Sequence, residues 1–240
     1  MPLFSNKDLS ILFLHIPKTG GTTIENWLCT TKRYKVQLFN EKALTDVNVT
    51  PQHLGYETVT SLIGDFNDSD LYKFAVVRNP YERLISEFFY RLKLNHLYLG
   101  KRPEQYFSCW VVHVLNKAKR HSSILDNHLR PQSFFVAQDV DIYKFEEGFD
   151  VIIESVAKRA KIAAPKAINP HKVGTKKGVY WSSTAIELVR KHYALDFENF
   201  NYTSQKCADY RFNGLMKKIF FLSYVMRMKL SKFLWNAKTR

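Results

Sequence analysis

A short segment near the N-terminus combines a lysine, two glycines and three threonines in an order that suits anion binding. Its sequence is His15-Ile16-Pro17-Lys18-Thr19-Gly20-Gly21-Thr22-Thr23. Glycines let a backbone approach an anion closely, and a helix N-terminus presents unpaired amide N–H groups. Lys18 adds a mobile positive charge, and Thr19, Thr22 and Thr23 add hydroxyl donors. Because the lysine precedes the glycines, the order is not that of a Walker A loop. Taken alone, the segment also fits an ordinary turn between a strand and a helix.

A second segment has the same layout of apolar run, polar junction and helix. It is Val77-Arg78-Asn79-Pro80-Tyr81-Glu82-Arg83-Leu84-Ile85-Ser86. Open α/β sheets bind ligands beyond the carboxyl ends of their strands, where Arg78 would lie. Its guanidinium can contact a phosphate with two parallel hydrogen bonds. We therefore predict that Arg78 and Ser86 bind a phosphate group.

One histidine is placed to act as a proton acceptor. His53 lies in Pro51-Gln52-His53-Leu54-Gly55-Tyr56-Glu57, between the two anion-binding segments. Histidine is the commonest general base near neutral pH. Glu57, one helical turn further on, is the alternative base, and a surface or helix-capping role for His53 remains open. We interpret His15 as a packed, hydrogen-bonded residue. No His, Cys, Asp and Glu residues recur at metal-ligand spacing, so we expect no metal.

The elements that would position these residues alternate between strands and helices. The apolar runs Ile11–Ile16 and Phe74–Val77 predict buried parallel strands. A helix should open near Thr22, and another at Asn79 as N-cap with Pro80 in the first helical position. Further helices are predicted over 53–63, 110–118, 149–160 and 183–193, and a strand over 134–137. The expected fold is α/β, with three layers in which helices flank a central, mainly parallel sheet.

Composition narrows the class of protein without choosing a function. The 240-residue chain has a net charge of +14, which fits anionic ligands, membranes or nucleic acid. No nucleic-acid motif is present, so we expect no nucleic-acid partner. The three cysteines, Cys29, Cys109 and Cys207, lie far apart in the sequence and suggest a reducing compartment. With no signal-peptide pattern and no run of ~20 apolar residues, a cytoplasmic enzyme is expected.

The C-terminal segment differs in character from the rest. Residues 211–240 contain eight Lys or Arg and no Asp or Glu. One uncharged face of a helix there would carry Leu215, Ile219, Leu222, Met226, Leu230 and Phe233. We predict a domain over 1–205 and a basic amphipathic helix over 206–240. That helix either docks on the body or a partner subunit, or contacts the inner face of a membrane peripherally.

Together, the segments His15–Thr23 and Val77–Tyr90 resemble the 5′- and 3′-phosphosulfate-binding motifs of sulfotransferases. They are most similar to the family 2, carbohydrate-type sulfotransferases. The resemblance covers roughly residues 10–203, and its further parts are Leu129-Arg130-Pro131-Gln132, Phe145-Glu146, Asn169 and Tyr193-Ala194-Leu195-Asp196-Phe197.

The resemblance implies a P-loop-like fold and the donor 3′-phosphoadenosine 5′-phosphosulfate. By the family pattern, Lys18, Thr19, Gly20, Gly21, Thr22 and Thr23 would hold the 5′-phosphosulfate. Arg78 and Ser86 would hold the 3′-phosphate. Lys176 and Lys177 lie where such enzymes often close a loop over the donor. Lys18 would also stabilise the leaving group.

The acceptor is less clearly encoded than the donor. His128, Arg130 and Gln132 are candidates for binding a carbohydrate or glycolipid, although Leu129-Arg130-Pro131 also fits a packed turn. Two other classes of function remain open. One is a P-loop kinase or other nucleotide phosphotransferase, which the missing Walker A order disfavours. The other is a non-catalytic protein that binds polyanions or membranes through its charge.

Overall fold

The structure is a computed structural model, and it describes residues 1–7, 9–31, 33–39, 49–64, 70–94, 97, 99–165, 178–209 and 214–238. Side chains of the last range are described for residues 218–230. The chain divides into two units. The first comprises Met1–Arg78 and Ser122–Val173, and the second comprises Asn79–His121 and Gly174–Arg240.

Among the described residues of the first unit, five strands form one sheet. Their spatial order is β3-β1-β2-β4-β5, where β1 is Leu3–Ser5, β2 Ser10–Leu14, β3 Lys35–Gln37, β4 Leu71–Val77 and β5 Asp141–Lys144. The central strand β2 is parallel to β4, and β4 is parallel to β5. The strand β1 is antiparallel to both of its neighbours, so the other four strands share one direction. The predicted α/β class with a mainly parallel sheet is confirmed.

In the described part of the first unit, the α-helices are α1 (Gly21–Thr30), α2 (Tyr56–Ile63) and α5 (Phe149–Arg159). Apolar side chains of α1 and α5 pack with β2 and β4 in one core, which includes Phe13, Phe74, Trp27 and Ile152. The strand Ser10–Leu14 is buried at every position, as its continuous apolar run predicts. This core fixes α1 directly behind the end of β2.

The second unit is helical in the residues that the structure describes. Its helices are α3 (Pro80–Lys93), α4 (Phe107–Ala118), α6 (Ser183–His192), α7 (Ala194–Asn199) and α8 (Gly214–Lys238). The predicted start of α3 is confirmed, because the side chain of Asn79 accepts a hydrogen bond from the amide of Tyr81 at 3.0 Å. Across the described residues, no helix is both long and apolar enough to span a bilayer.

Two predicted elements differ from the structure. Residues 134–137 do not form a strand, because Gln132–Phe135 is a short 3-10 helix and the strand follows later as β5. The strand β5 is polar and half-exposed, so it has no continuous apolar run from which the sequence could predict it. The helix predicted over 53–63 is split into a 3-10 turn, Pro51–His53, and α2. Gly55 separates them in an extended conformation, and a Cβ there would lie 2.5 Å from the ring of Phe134.

Candidate functional site

The loop after β2 is a tight left-handed turn that leads directly into α1. Lys18 has φ 71° and Gly20 has φ 86°, so two of its three central residues adopt a left-handed backbone. The hydroxyl of Thr19, fully buried, donates to the carbonyl of Ile16 at 2.9 Å and braces the turn internally. Gly20 is the N-cap of α1 and has no side chain to bond the first amides of the helix. The loop therefore has the form expected of an anion-binding turn.

Both glycines of the loop are required by their neighbours. A Cβ at Gly20 would lie 2.4 Å from the ring of Phe149, and one at Gly21 would lie 2.6 Å from the ring of His15. Either contact would push the turn away from the sheet. Thr22 is exposed and Thr23 is buried in the first turn of α1. The two glycines thus bring the turn close to both an aromatic ring and an imidazole.

Arg78 comes directly after β4 and contacts this loop. Strands β2 and β4 are adjacent and parallel, with Leu14 paired to Ala75, so the residues that follow them meet at one edge of the sheet. The guanidinium of Arg78 donates from Nη1 to the carbonyl of Lys18 at 3.3 Å. Its Cζ lies 4.3 Å from the ring centroid of Phe145, which follows β5. The structure therefore brings together residues from both predicted phosphate motifs.

Gln132 fixes the backbone of Arg78. Its Oε1 accepts from the amide of Arg78 at 2.8 Å, and its Nε2 donates to the carbonyl of Arg78 at 2.9 Å. Gln132 is fully buried. These two bonds imitate the pairing of a neighbouring strand, and they hold Arg78 at the strand end.

His53 forms a hydrogen-bonded pair with Asp126. His53 Nδ1 lies 2.7 Å from Asp126 Oδ2. The amide and hydroxyl of Thr50 also bond this carboxylate and donate to its two oxygens at 2.7 and 2.8 Å. Asn127 donates from Nδ2 to the carbonyl of His53 at 2.9 Å. An ionised carboxylate only accepts hydrogen bonds, so His53 carries its proton on Nδ1 and keeps a lone pair on Nε2.

The charge states of this pair follow from its surroundings. Burial lowers the pKa of His53 to about 4, although the hydrogen bond to Asp126 acts in the opposite direction. Burial alone would raise the pKa of Asp126, but the bonds from His53 and Thr50 outweigh it and bring that pKa to about 2. At neutral pH the imidazole is therefore neutral and the carboxylate is ionised. This is the state in which a histidine can accept a proton.

A second histidine–carboxylate pair lies beside the first. His15 Nδ1 lies 2.5 Å from Glu25 Oε1, and Gln52 donates from Nε2 to the two oxygens of Glu25 at 2.8 and 2.9 Å. Burial would raise the pKa of Glu25, but His15 and Gln52 outweigh it and lower that pKa. The rings of His15 and His53 meet edge to face with centroids 5.2 Å apart. Since His15 also touches Gly21, it connects His53 to the start of α1.

His128 extends this row of imidazoles. Its ring centroid lies 4.8 Å from that of His53, and its side chain is buried. His53, Asp126 and His128 offer three ligand atoms that lie within 4.8 Å of one another, a group able to hold a cation. The sequence could not show this group, because His53 lies more than 70 positions before Asp126 and His128.

Comparison with known proteins identifies the family of the chain. The family model described as the sulfotransferase family matches residues 1–203. The chain belongs to this family. The comparisons with curated proteins and with solved structures gave no match.

Other residues that the sequence predicted for the site lie in several environments. Glu57 is exposed on α2. Arg130 is half-buried, with its Cζ 4.3 Å from the ring centroid of Phe134. Burial lowers the pKa of the Arg130 guanidinium. Ser86 is half-buried on α3 in the second unit, and Lys176 and Lys177 lie outside the described residues.

Sequence reasoning did not single out Asp126 or Thr50. Asp126 lies in a turn in which Leu125, Asp126 and Asn127 all have positive φ. Asp and Asn tolerate this conformation better than most residues, so the Asp-Asn pair was the one local signal of the turn. Asp126 contacts Thr50 and His53, however, only because segments far apart in the sequence pack together.

The second unit carries an open cavity of about 1160 Å³. Basic, acidic and apolar side chains from α6, α7 and the segment after them line it, among them Arg190, Lys191, Glu187, Phe197 and Lys206. Lys206 Nζ lies 5.3 Å from the ring centroids of both Tyr81 and Trp181. Cation–π contacts with both rings hold this ammonium group in place at the cavity wall.

Proposed function

We propose that the protein transfers a sulfuryl group from 3′-phosphoadenosine 5′-phosphosulfate to a hydroxyl of a carbohydrate or glycolipid. Membership of the sulfotransferase family supports the reaction type. The meeting of Lys18 and Arg78 at the ends of neighbouring parallel strands supports a donor that carries two anionic groups. His53, neutral and oriented by Asp126, is the observation that carries the proposed mechanism.

In the proposed reaction, His53 Nε2 takes the proton of the acceptor hydroxyl as its oxygen attacks sulfur. A new O–S bond forms while the bond between sulfur and the bridging oxygen of the 5′-phosphate breaks. Asp126 stabilises the imidazolium that results, because its carboxylate stays ionised. The negative donor next to His53 would raise the low pKa of the imidazole toward neutrality when it binds.

Lys18 and Arg78 supply the positive charge that this chemistry requires. Lys18, half-exposed at the start of the turn, is proposed to neutralise charge that develops on the bridging oxygen. The amides at the start of α1 would hold the 5′-phosphosulfate together with Thr22 and Thr23. Arg78 would contact the 3′-phosphate. Gln132 is then a positioning residue for Arg78 rather than a contact to the acceptor.

The acceptor is proposed to bind next to His53, where His128, Arg130 and Phe134 lie. The ring of Phe134 is 36% exposed, and its edge lies against Gly55, two residues after His53. Arg130 lies over this ring and offers N–H donors to hydroxyl groups. An apolar ring beside a guanidinium suits the mixed C–H and O–H surface of a sugar.

Thermal unfolding with nucleotides tests the donor assignment. The product 3′-phosphoadenosine 5′-phosphate should stabilise the protein by about 3 kcal/mol at a concentration near 100 times its Kd. ATP with Mg²⁺ and 5′-AMP should stabilise it far less. Equal shifts for ATP with Mg²⁺ would favour the phosphotransferase alternative and contradict the proposal.

A substitution of Arg78 tests its proposed contact with the 3′-phosphate separately from the proposed binding of the 5′-phosphosulfate by the loop after β2. Arg78→Gln should reduce affinity for the 3′-phosphorylated nucleotide by about 10- to 100-fold, the worth of a charge-assisted hydrogen bond. Its affinity for 5′-AMP should not change. Arg190→Gln, a matched change in the second unit's cavity, serves as control. A loss of affinity for both nucleotides alike would show that Arg78 does not contact the 3′-phosphate.

A further inference from the structure

The helix α8 docks on the second unit by one face. Tyr224 is fully buried, and its ring centroid lies 5.7 Å from that of His113 on α4. The hydroxyl of Tyr106 lies 3.1 Å from Ser223 Oγ, and Arg227 donates from Nε to the same hydroxyl at 3.1 Å. Gly100 leaves room for Arg227, since a Cβ there would lie 2.7 Å from Nη1. This face fixes the rotation of the helix about its axis.

A different face of α8 carries an exposed apolar stripe. Ile219, Leu222, Met226 and Leu230 are 51%, 62%, 64% and 45% exposed. Their spacings of three, four and four residues place them on one side of an α-helix. Four large apolar side chains on one docked helix form a contiguous patch, which is a feature of an interaction surface.

The charge around the stripe has one sign. Within the described part of α8, Lys218 and Lys229 are exposed and directly precede Ile219 and Leu230. The whole segment 211–240 contains eight Lys or Arg and no Asp or Glu. A second copy of this chain would place these cations opposite each other across the stripe, which is unfavourable. A negatively charged apolar surface would instead complement both features.

We propose that α8 binds the surface of an anionic lipid bilayer through Ile219, Leu222, Met226 and Leu230. The four side chains would enter the boundary between headgroups and acyl chains, and the flanking lysines would contact lipid phosphates. Because Tyr224 and Arg227 dock the same helix on the second unit, membrane binding would hold that unit at the bilayer. This surface does not depend on the proposed sulfuryl transfer.

Vesicle flotation of the full chain tests the proposal. The protein should float with vesicles of phosphatidylcholine and phosphatidylglycerol, and should stay unbound with phosphatidylcholine alone. Leu222→Gln with Met226→Gln should lower the partition coefficient by about tenfold or more, because two apolar contacts are lost while helix propensity is kept. The matched control, Leu62→Gln with Leu195→Gln, changes two exposed apolar residues elsewhere and should bind like the wild type.

A charge series tests the electrostatic part. Lys218→Glu with Lys229→Glu should weaken binding to anionic vesicles by about tenfold or more, and added salt should weaken wild-type binding. Lys101→Glu with Lys119→Glu makes the same change in net charge at other exposed positions and should have a smaller effect. The absence of wild-type binding to anionic vesicles would overturn the proposal. The proposal would also be overturned if the wild type is a dimer that does not bind vesicles and if Leu222→Gln with Met226→Gln converts it to a monomer. The stripe would then join two copies of the chain.

Discussion

The first unit contains two histidine–carboxylate pairs that make the same contact in different surroundings. His15 and His53 each use Nδ1, at 2.5 Å from Glu25 and 2.7 Å from Asp126. The side chain of Glu25 is 1% exposed, whereas that of Asp126 is 28% exposed. The first carboxylate sits on α1 inside the core, and the second sits on a left-handed turn at the surface.

The difference shows how one chemical pair can serve two purposes. Glu25 is bonded by His15 and by Gln52, and His15 in turn packs against Gly21. This pair therefore fixes the start of α1 in place. The ring of His53 packs edge to face against that of His15, and its partner Asp126 is more exposed than Glu25. In the proposed mechanism, His53 Nε2 would take the proton of the acceptor hydroxyl. We expect the inner pair to govern stability and the outer pair to govern turnover.

Replacing each histidine by asparagine should give the largest contrast. Asparagine keeps a donor near the position of Nδ1 but has no group at Nε2. His53→Asn should therefore lower kcat by about 10³-fold, the loss typical of a missing general base, while nucleotide binding is retained. His15→Asn should leave kcat of the folded protein within about tenfold of the wild type. Steady-state kinetics with labelled donor measures both.

Two outcomes would contradict the predicted difference between His53→Asn and His15→Asn. Comparable losses in the two variants would make His15 part of the proton transfer. Full activity in His53→Asn, with a loss in Glu57→Gln, would assign the base to the exposed glutamate on α2.

Replacing each of the two carboxylates by its amide should give smaller effects, with activity lost mainly in one variant and stability lost mainly in the other. Asp126→Asn can turn its NH2 toward His53 Nδ1, which forces the proton onto Nε2, so kcat should fall by about 10²-fold. Glu25→Gln must turn an NH2 toward Gln52 or His15 inside the core, so the free energy of unfolding should fall by about 2 kcal/mol. Urea denaturation and kcat, measured on both variants, show which variant loses stability and which loses activity. Equal effects on stability from both variants would remove the distinction between the pairs.

The smallest effect concerns pH. The pKa of His53 is about 4 in the folded protein and 6.5 in the unfolded chain, so the unfolded chain binds more protons between these values. Stability should therefore fall as pH falls from 6.5, by about 1 kcal/mol per pH unit near pH 5. Urea denaturation between pH 7 and pH 5 measures this slope. His53→Asn should reduce it, and a residual slope would come from His113 and Glu25, whose pKa values are also lowered in the folded protein. An unchanged slope in His53→Asn would contradict the low pKa.

Local sequence predicted the elements that bear the two predicted phosphate-binding motifs. The buried runs in β2 and β4 have strong apolar signals, and Asn79 with Pro80 marks the start of α3. The strand β5 was missed because it is polar and half-exposed, although it carries Phe145 to the site. The helix predicted from His53 was interrupted at Gly55, where a tertiary contact with Phe134 outweighs local helical periodicity.

The sequence alone determined which groups are available for the site. They are Lys18 and two glycines at one strand end, Arg78 at another, and His53 between them. Those signals are local, because a turn, a cap and a strand end each depend on a few adjacent residues. Only the tertiary structure decided that Asp126 orients His53 and that Gln132 holds Arg78. These partners are separated by 73 and 54 positions. Since such contacts form only when the sheet and its connections pack, no local pattern encodes them.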